Sequence, residues 1–158
     1  NKIDIILCFR FSKILKNEIL KLAKVKTVNF HGSLLPKYAG LGSTFQALKN
    51  KERFIGGSFH EMTNKIDGGK ILFQTKFPIN HRKSVCYHHI RTYVKSSYFF
   101  ESLFKNIQTN KTFNNDAKES NYYSFPQKKD VSSFRENLIK FEDLLLMYKV
   151  ISLDKIND

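Results

Sequence analysis

The sequence predicts an α/β fold with a mixed sheet, and three observations lead to that prediction. Short apolar runs alternate with segments of helical spacing, the order that builds a sheet covered by helices. The length of 158 residues suits one domain. Hydrophobic residues make up 41% of the chain and charged residues 26%, a globular balance rather than a disordered one. No apolar run approaches the roughly 18 residues of a membrane helix, so we expect a soluble, cytoplasmic protein.

The first part of the chain predicts a strand, a helix and a second strand. Residues 3–9 are an almost unbroken apolar run, as in a strand buried on both faces. Ser12 is placed to cap the following helix, in which these apolar residues keep a helical spacing: Ile14, Leu15, Ile19, Leu20 and Ala23. Residues 27–30 form the second strand. Because this order is a crossover unit, the two strands should be parallel and adjacent.

The rest of the chain predicts two more strands flanked by helices. In chain order these are a loop with several glycines (32–42), a brief helix (43–50), two strands (53–62 and 70–79) and a long helix (84–107). A polar linker, an aromatic segment and a final amphipathic helix follow, over residues 110–120, 122–126 and 131–149. The chain opens directly on a core strand with nothing before it to cover the sheet. We therefore expect it to be the later part of a longer domain.

The formal net charge of +13 raises the question of a nucleic-acid partner. Clustered lysine and arginine neutralise phosphates, but lysine supplies 22 of the 27 basic residues and the five arginines are scattered. Base edges are read best by the bidentate arginine fork. A chain rich in lysine, asparagine and isoleucine is typical of a compositional bias of the genome. An anionic small substrate is therefore favoured over nucleic acid.

Cysteine and histidine do not predict a metal site. Cys8 and Cys86 are too few for a disulfide scaffold and lack the spacing of metal ligands. Cys8 lies in an apolar strand and should be inert core. His88 and His89 are neighbours in a predicted helix, so they face different directions and are interpreted as structural.

A dense polar patch follows the second strand. Asn29 and His31 are two residues apart at the strand end, so both side chains should point to the same side of the sheet. Ligands of open α/β sheets bind outside the carboxyl ends of strands. An asparagine amide can donate to a developing oxyanion, and a histidine can carry a proton near neutral pH. Alternatively, both residues only tie down the following turn.

A second polar patch lies between the two later strands. This loop ends in Asp67, and Gly68 and Gly69 allow the backbone to approach a ligand closely. A carboxylate beside His31 would fix its tautomer and hold an imidazolium. The alternative is an Asp-Gly turn that only satisfies backbone geometry.

Together the two patches resemble the folate-dependent formyltransferase family. The family's hallmark is Asn-x-His followed by Ser-Leu-Leu-Pro and a glycine, which residues 29–36 and Gly40 match. Its downstream Asp-x-Gly element is similar to residues 67–72, and its folate-lining segment to residues 11–15. The resemblance extends from about residue 2 to residue 80. Gly32 stands where many members have proline or another residue.

This resemblance implies a Rossmann-like formyltransferase fold with a mostly parallel sheet, helices on both faces and an incomplete N-terminus. It implies transfer of a formyl group from N10-formyltetrahydrofolate to a primary amine without a metal. It implies that Asn29, His31 and Asp67 are catalytic, with His60 and Ser33 placed behind them. Two segments are then expected to bind the cofactor, through Ser12, Lys13, Ile14, Leu15, Asn64, Lys65 and Ile66.

The resemblance also implies how the chain is divided. Residues 1–109 correspond to the C-terminal part of a catalytic domain, and residues 110–158 to a linker, an aromatic anchor and a C-terminal helix. The segment 122–126 resembles one downstream of the catalytic domain in sugar N-formyltransferases, where aromatic rings would pack on the domain or stack on a base. The favoured acceptor is therefore the amine of a nucleotide-linked amino sugar, with assembly as a homodimer left open.

Three alternatives remain at this point. The positive charge favours a methionyl-tRNA formyltransferase-like enzyme, with tRNA as a partner. A formyltetrahydrofolate hydrolase uses a similar set of residues with water as the acceptor. A non-catalytic remnant would keep the motif and bind only folate or a partner protein.

Overall fold

A computed structural model describes residues 3–10, 13–113 and 121–153, apart from the side chains of residues 136 and 148–153. The strands are β1 (Ile3–Phe9), β2 (Ala23–His31), β3 (Ala39–Gly40), β4 (Phe54–Glu61), β5 (Ile71–Pro78) and β6 (Tyr122–Tyr123). The helices are α1 (Asn17–Leu20), α2 (Ser43–Lys49), α3 (Val85–Ser97), α4 (Phe100–Gln108), α5 (Lys128–Ser133) and α6 (Phe141–Leu153), with a 3-10 turn at Arg135–Asn137.

The main sheet has four strands in the order β1-β2-β4-β5. β1 and β2 are parallel, which confirms the predicted crossover, and the α/β class is confirmed with them. β4 is antiparallel to both of its neighbours. In the described residues the sheet is therefore mixed, whereas the family resemblance led us to expect a mostly parallel one. The short loop between β4 and β5 accounts for the second of these antiparallel pairings, since a connection without a crossover element returns antiparallel.

The connection between β1 and β2 is less helical than its apolar spacing predicts. Only the four residues of α1 are helical, and Ala23 already belongs to β2. No residue of α1 is buried, and the side chain of Ile14 is 79% exposed. An amphipathic helix owes most of its stability to packing of its apolar face, and within the described part of the chain the residues of this face are exposed or only half-buried. The capping role predicted for Ser12 lies outside the described residues.

The long helix predicted after β5 is two helices, α3 and α4, which are separated at Tyr98 and Phe99. Near the break, the fully buried Ser96 shares a 2.7 Å hydrogen bond with the hydroxyl of Thr75 in β5. This contact holds the end of α3 against the sheet. After the break, α4 buries its own apolar residues in the core, Leu103 and Ile107.

The predicted final helix is likewise divided into α5, the 3-10 turn and α6. Buried Asp143 accepts hydrogen bonds from the backbone N–H of Lys140 and the hydroxyl of Ser84, both at 2.6 Å. The first of these resembles the back-bond of a capping box. Ser84 also caps α3, because its oxygen accepts from the N–H of Tyr87. The beginning of α6 is thus fixed to the beginning of α3.

The core lies between the main sheet and the helices α3 and α4. Its fully enclosed members come from three strands and one helix: Val28, Phe30, Phe59, Leu72, Leu103 and Ile107. Phe9 of β1 stacks on Phe30 with ring centroids 4.5 Å apart. A second cluster, around Tyr38, includes residues of α2 and supports the loop after β2. Within the described part of the chain, no helix is both long and apolar enough to cross a membrane.

Candidate active site

Four polar residues from the two predicted patches meet where β2 ends. Oδ2 of Asp67 lies 3.4 Å from Nδ1 of His31, and Oδ1 lies 3.5 Å from Nε2 of His60. Asn29 completes the group, since its Nδ2 donates to Nε2 of His60 at 3.1 Å. Residues 38 positions apart in the sequence are therefore members of one cluster, here called the Asp67 cluster (Asn29, His31, His60 and Asp67).

The sheet register and one tight loop place these side chains. Asn29 and His60 are direct partners across the antiparallel pair of β2 and β4, which brings their side chains to the same face. Asp67 has a left-handed backbone, with φ at 50°, which aspartate adopts more readily than most residues. Its Oδ2 accepts from the backbone N–H of Gly40 at 2.9 Å. The loop lies so close to β4 that a Cβ on Gly69 would be 1.8 Å from the carbonyl oxygen of Glu61.

The hydrogen bonds of His31 assign its tautomer. Nε2 lies 2.7 Å from the carbonyl oxygen of Tyr38, which can only accept, so Nε2 carries the hydrogen. Nδ1 of the neutral ring is then an unprotonated nitrogen that faces Asp67. Burial lowers the pKa of His31, while the charge of Asp67 and the bond to Tyr38 oppose that effect. A proton taken up at Nδ1 would therefore lie beside the carboxylate.

Asp67 is ionised at neutral pH. Burial on its own would raise the pKa of its carboxyl group, but the contacts with His60, His31 and the N–H of Gly40 outweigh it and lower the pKa. Ser33 does not face the cluster, because its hydroxyl donates to the Tyr38 carbonyl at 2.5 Å. Ser33 thus supports the same carbonyl that holds His31.

The Asp67 cluster lies in a cleft of about 770 Å³, within the usual size range of small-molecule sites. Two segments predicted to bind the cofactor line this cleft: Lys13, Ile14, Leu15, Asn64, Lys65 and Ile66. The first segment follows β1 and the second belongs to the loop between β4 and β5. Ser12, the remaining residue predicted to bind the cofactor, lies outside the described residues.

The other half of the cleft was not predicted as part of the site. It is lined by the loop before α2, one face of α3 and Arg10 at the end of β1. His89 lies in this half, although the sequence analysis interpreted it as structural. His88 is fully buried, and its Nε2 donates to the carbonyl of Asn80 at 3.0 Å. The sequence does contain a signal for this lining, because Val85, His89 and Tyr93 recur every four residues and therefore share one face of α3.

In the aromatic segment 122–126, one ring packs on the domain and the other two line the cleft. The ring of Tyr123 stacks on Tyr38 with centroids 5.5 Å apart, and β6 pairs in parallel with β3. Tyr122 and Phe125 are instead 59% and 74% exposed and line the cleft. Packing is therefore observed for one aromatic residue, and the other two are free to contact a ligand.

No group of three or more His, Cys, Asp or Glu side chains in the described part of the chain could hold a metal ion. Cys8 is buried and Cys86 half-buried, and both are free thiols. Burial raises the pKa of the Cys8 thiol, which keeps it protonated and unreactive at neutral pH.

Comparison with known proteins assigns the family. A family model described as formyl transferase matches residues 1–95, more than half of the chain. The chain belongs to the formyl transferase family. This confirms the resemblance found in the sequence, and the formyltransferase fold is confirmed by solved structures of similar architecture.

The proteins similar to this chain carry names that refer to different activities. Over 93 residues the chain is 43% identical to the bifunctional polymyxin resistance protein ArnA of Wigglesworthia glossinidia brevipalpis, covering 54% of this chain and 14% of that protein. Over 82 residues it is 39% identical to the methionyl-tRNA formyltransferase of Levilactobacillus brevis, covering 52% and 26%. Among solved structures, the N-formyltransferase from Helicobacter canadensis superposes with a TM-score of 0.65 at 28% identity, covering 78% of this chain and 45% of that one. The matched region is thus less than half of each of these proteins.

Proposed function

We propose that this formyltransferase chain transfers the formyl group of N10-formyltetrahydrofolate to the primary amine of a nucleotide-linked amino sugar. The observation that carries the proposal is the Asp67 cluster, in which an ionised carboxylate lies between two imidazoles beside an asparagine amide. The cluster opens into a cleft lined by both segments expected to bind folate. The similar enzyme from Helicobacter canadensis was solved in complex with folinic acid and dTDP-3-aminofucose, which supports both substrate classes.

Asn29 is proposed to stabilise the transition state. Attack of an amine on the formyl carbon turns the formyl oxygen into an oxyanion. One hydrogen of the Asn29 amide is directed to His60, and the second remains available for that oxygen. A positioned donor of this kind typically contributes about 3–4 kcal/mol to catalysis.

His31 and Asp67 are proposed to manage the protons of the reaction. Nε2 of His31 is held by the Tyr38 carbonyl, so the nitrogen that can gain a proton is Nδ1, next to Asp67. This arrangement favours a role in proton movement over direct hydrogen bonding to the formyl oxygen. Asp67 would stabilise the imidazolium and order a water that carries the amine proton toward the departing folate nitrogen.

The experiment follows tetrahydrofolate release by absorbance, with N10-formyltetrahydrofolate present and with or without a nucleotide-linked 4-amino sugar. We expect turnover by the full chain only when the amine is present. Asp67→Asn should lower kcat by roughly 100-fold or more, the usual contribution of a positioned proton-transfer group. Asp4→Asn is the matched control, because Asp4 is exposed on β1 and pairs only with Lys24 among the described residues.

Other outcomes separate the alternatives. Amine-independent turnover would indicate a hydrolase and overturn the transfer reaction. Turnover with methionyl-tRNA and not with the amino sugar would overturn the acceptor. No turnover with any acceptor, or an equal loss in both aspartate variants, would contradict the proposed function.

A further inference from the structure

Arg10 has a backbone conformation that few residues of its type adopt. Strand β1 ends at Phe9, and Arg10 follows with φ at 59°, in the left-handed region. That region is sparsely populated for residues with a long side chain. Strained residues of this kind cluster at ligand sites, where the surrounding structure maintains them.

The conformation of Arg10 directs its side chain into the cleft of the Asp67 cluster. Phe9 pairs with Phe30 in the parallel ladder, so Arg10 leaves the sheet beside His31. Arg10 lines the same cleft as His31 and Asp67. Arg10 is thus an exposed charged residue of the cleft that contains the Asp67 cluster.

Two residues of α3 hold the guanidinium in place. Nη1 of Arg10 donates to Nε2 of His89 at 2.5 Å, and Nδ1 of His89 faces the hydroxyl of Thr44 at 3.4 Å. The guanidinium carbon lies 5.6 Å from the ring centroid of Tyr93. His89 is neutral, because burial and the charge of Arg10 both lower its pKa. No carboxylate among the described residues forms an ion pair with Arg10, so the contacts fix its position and leave its charge uncompensated.

Gly32 makes room for this arrangement. A Cβ at position 32 would lie 3.0 Å from the ring of Tyr93, closer than packed carbon atoms normally approach. The glycine at position 32, where many family members have proline or another residue, therefore leaves space for the Tyr93 ring that contacts Arg10. The two features belong to one structural unit at the end of β1.

We propose that Arg10 is a specificity-determining residue that binds an anionic group, a phosphate of the nucleotide part, on the amine acceptor. This inference rests on the proposed function. A guanidinium offers several N–H donors in a planar fork that matches phosphate geometry. After one donor is directed to His89, the others remain for a ligand in the cleft.

The position of Arg10 favours the acceptor over the folate as the source of this anion. Lys13 and Lys65 lie on the two segments expected to bind folate and suit its carboxylates. Arg10 is instead held by His89, whose Nδ1 faces Thr44 of α2. The loop before α2 also contacts the aromatic segment, since a Cβ on Gly40 would lie 3.0 Å from the ring of Tyr122. Exposed aromatic rings can stack on a nucleotide base, so a phosphate joined to that base would come near Arg10.

Arg10→Gly tests the proposal, because glycine adopts the left-handed backbone without strain. We expect the melting temperature to stay unchanged or rise, while the KM for the nucleotide-linked amino sugar increases at least tenfold. The kcat and the KM for N10-formyltetrahydrofolate should change less than twofold. Lys51→Gly is the matched control: Lys51 is also basic and exposed, has φ at 52°, and lies outside the cleft. It should leave all three constants unchanged.

A calorimetric titration with thymidine diphosphate gives a readout that does not depend on turnover. We expect the wild-type chain to bind it at least tenfold more tightly than Arg10→Gly does. An unchanged acceptor KM in an active Arg10→Gly enzyme, or a raised KM for the folate alone, would overturn the role of Arg10 and leave the proposed function standing. If the wild type has no turnover, the proposed function fails. Independently of turnover, equal thymidine diphosphate binding by wild type and variant would overturn the inference about Arg10.

Discussion

His31 is buried with its Nε2 hydrogen donated to the Tyr38 carbonyl, and burial lowers its pKa. In the unfolded chain the same imidazole titrates near its ordinary value of about 6.5. As the pH falls below that value the unfolded state binds the proton first, so stability decreases with acidification until the folded-state pKa is reached. At higher pH the contribution is fully present.

His31→Gln tests this linkage, because the glutamine amide can still donate to Tyr38 and does not titrate. We expect the free energy of unfolding to fall less between pH 7.5 and pH 5.5 in the variant than in wild type, as measured by urea denaturation. His88 and His89 also have lowered pKa values, so part of the pH dependence should remain. His81→Gln, at an exposed position, serves as the control, and an equal flattening in both variants would count against the assignment to His31.

The loop between β4 and β5 is the element that determines where Asp67 lies. A Cβ on Gly69 would meet the Glu61 carbonyl at 1.8 Å, so the loop would have to move away from β4. We expect Gly69→Ala to lower the free energy of unfolding by roughly 1–3 kcal/mol, as overpacking does, and to lower kcat through displacement of Asp67. The measurements are urea denaturation and the tetrahydrofolate release assay.

Gly68→Ala is the neighbouring control for this prediction. Its Cβ would lie 2.9 Å from the Cβ of Lys65, a much milder overlap than the 1.8 Å between a Cβ on Gly69 and the backbone carbonyl of Glu61. The loss of stability should therefore be clearly smaller than in Gly69→Ala. Equal losses in the two variants would mean that close contact with β4 does not hold the loop.

Among the elements, sequence pattern predicted strands better than helices. The runs at residues 3–9, 53–62 and 70–79 correspond to β1, β4 and β5, because alternating or continuous apolar residues are a local signal. The helices depended on contacts that no local pattern contains. The bond from Ser96 to Thr75 accompanies the break between α3 and α4, and buried Asp143 fixes the beginning of α6 to Ser84.

For the whole molecule, the motif residues of the Asp67 cluster could be predicted and the far half of the cleft could not. Asn29, His31 and Asp67 follow from short motifs at strand ends, and the structure brings them together. The bond between Arg10 and His89 joins residues 79 positions apart and exists only through the packing of α3 on the sheet. The boundary at residue 109, the homodimer and the cytoplasmic location stay predictions.

The chain has a net charge of +13, and the basic side chains of its described residues lie on several different elements. Lysines on β2, the loop after it, α2 and the segment before α3 form ion pairs with carboxylates: Lys24 with Asp4, Lys26 with Glu61, Lys37 with Glu52, Lys49 with Asp130 and Lys83 with Glu142. Other exposed lysines flank α1 (Lys16 and Lys21) or lie on β5 and α4. Scattered positive charge of this kind attracts the phosphates of nucleic acid without recognising its base sequence.

Binding of tRNA should therefore be weak, steeply dependent on salt and indifferent to sequence. We expect the affinity for initiator tRNA, measured by fluorescence anisotropy, to fall at least tenfold between 50 mM and 200 mM salt, because the contacts exchange counterions on phosphates. An elongator tRNA should bind as tightly as initiator tRNA at each of the two salt concentrations, with the same dependence on salt. The KM for the amino sugar should change less over the same range, since the proposed contact joins one guanidinium to one phosphate, whereas tRNA binding releases counterions from several phosphates. A preference for initiator tRNA that persists at 200 mM salt would instead indicate a tRNA substrate, and the positive charge would then be part of its binding surface.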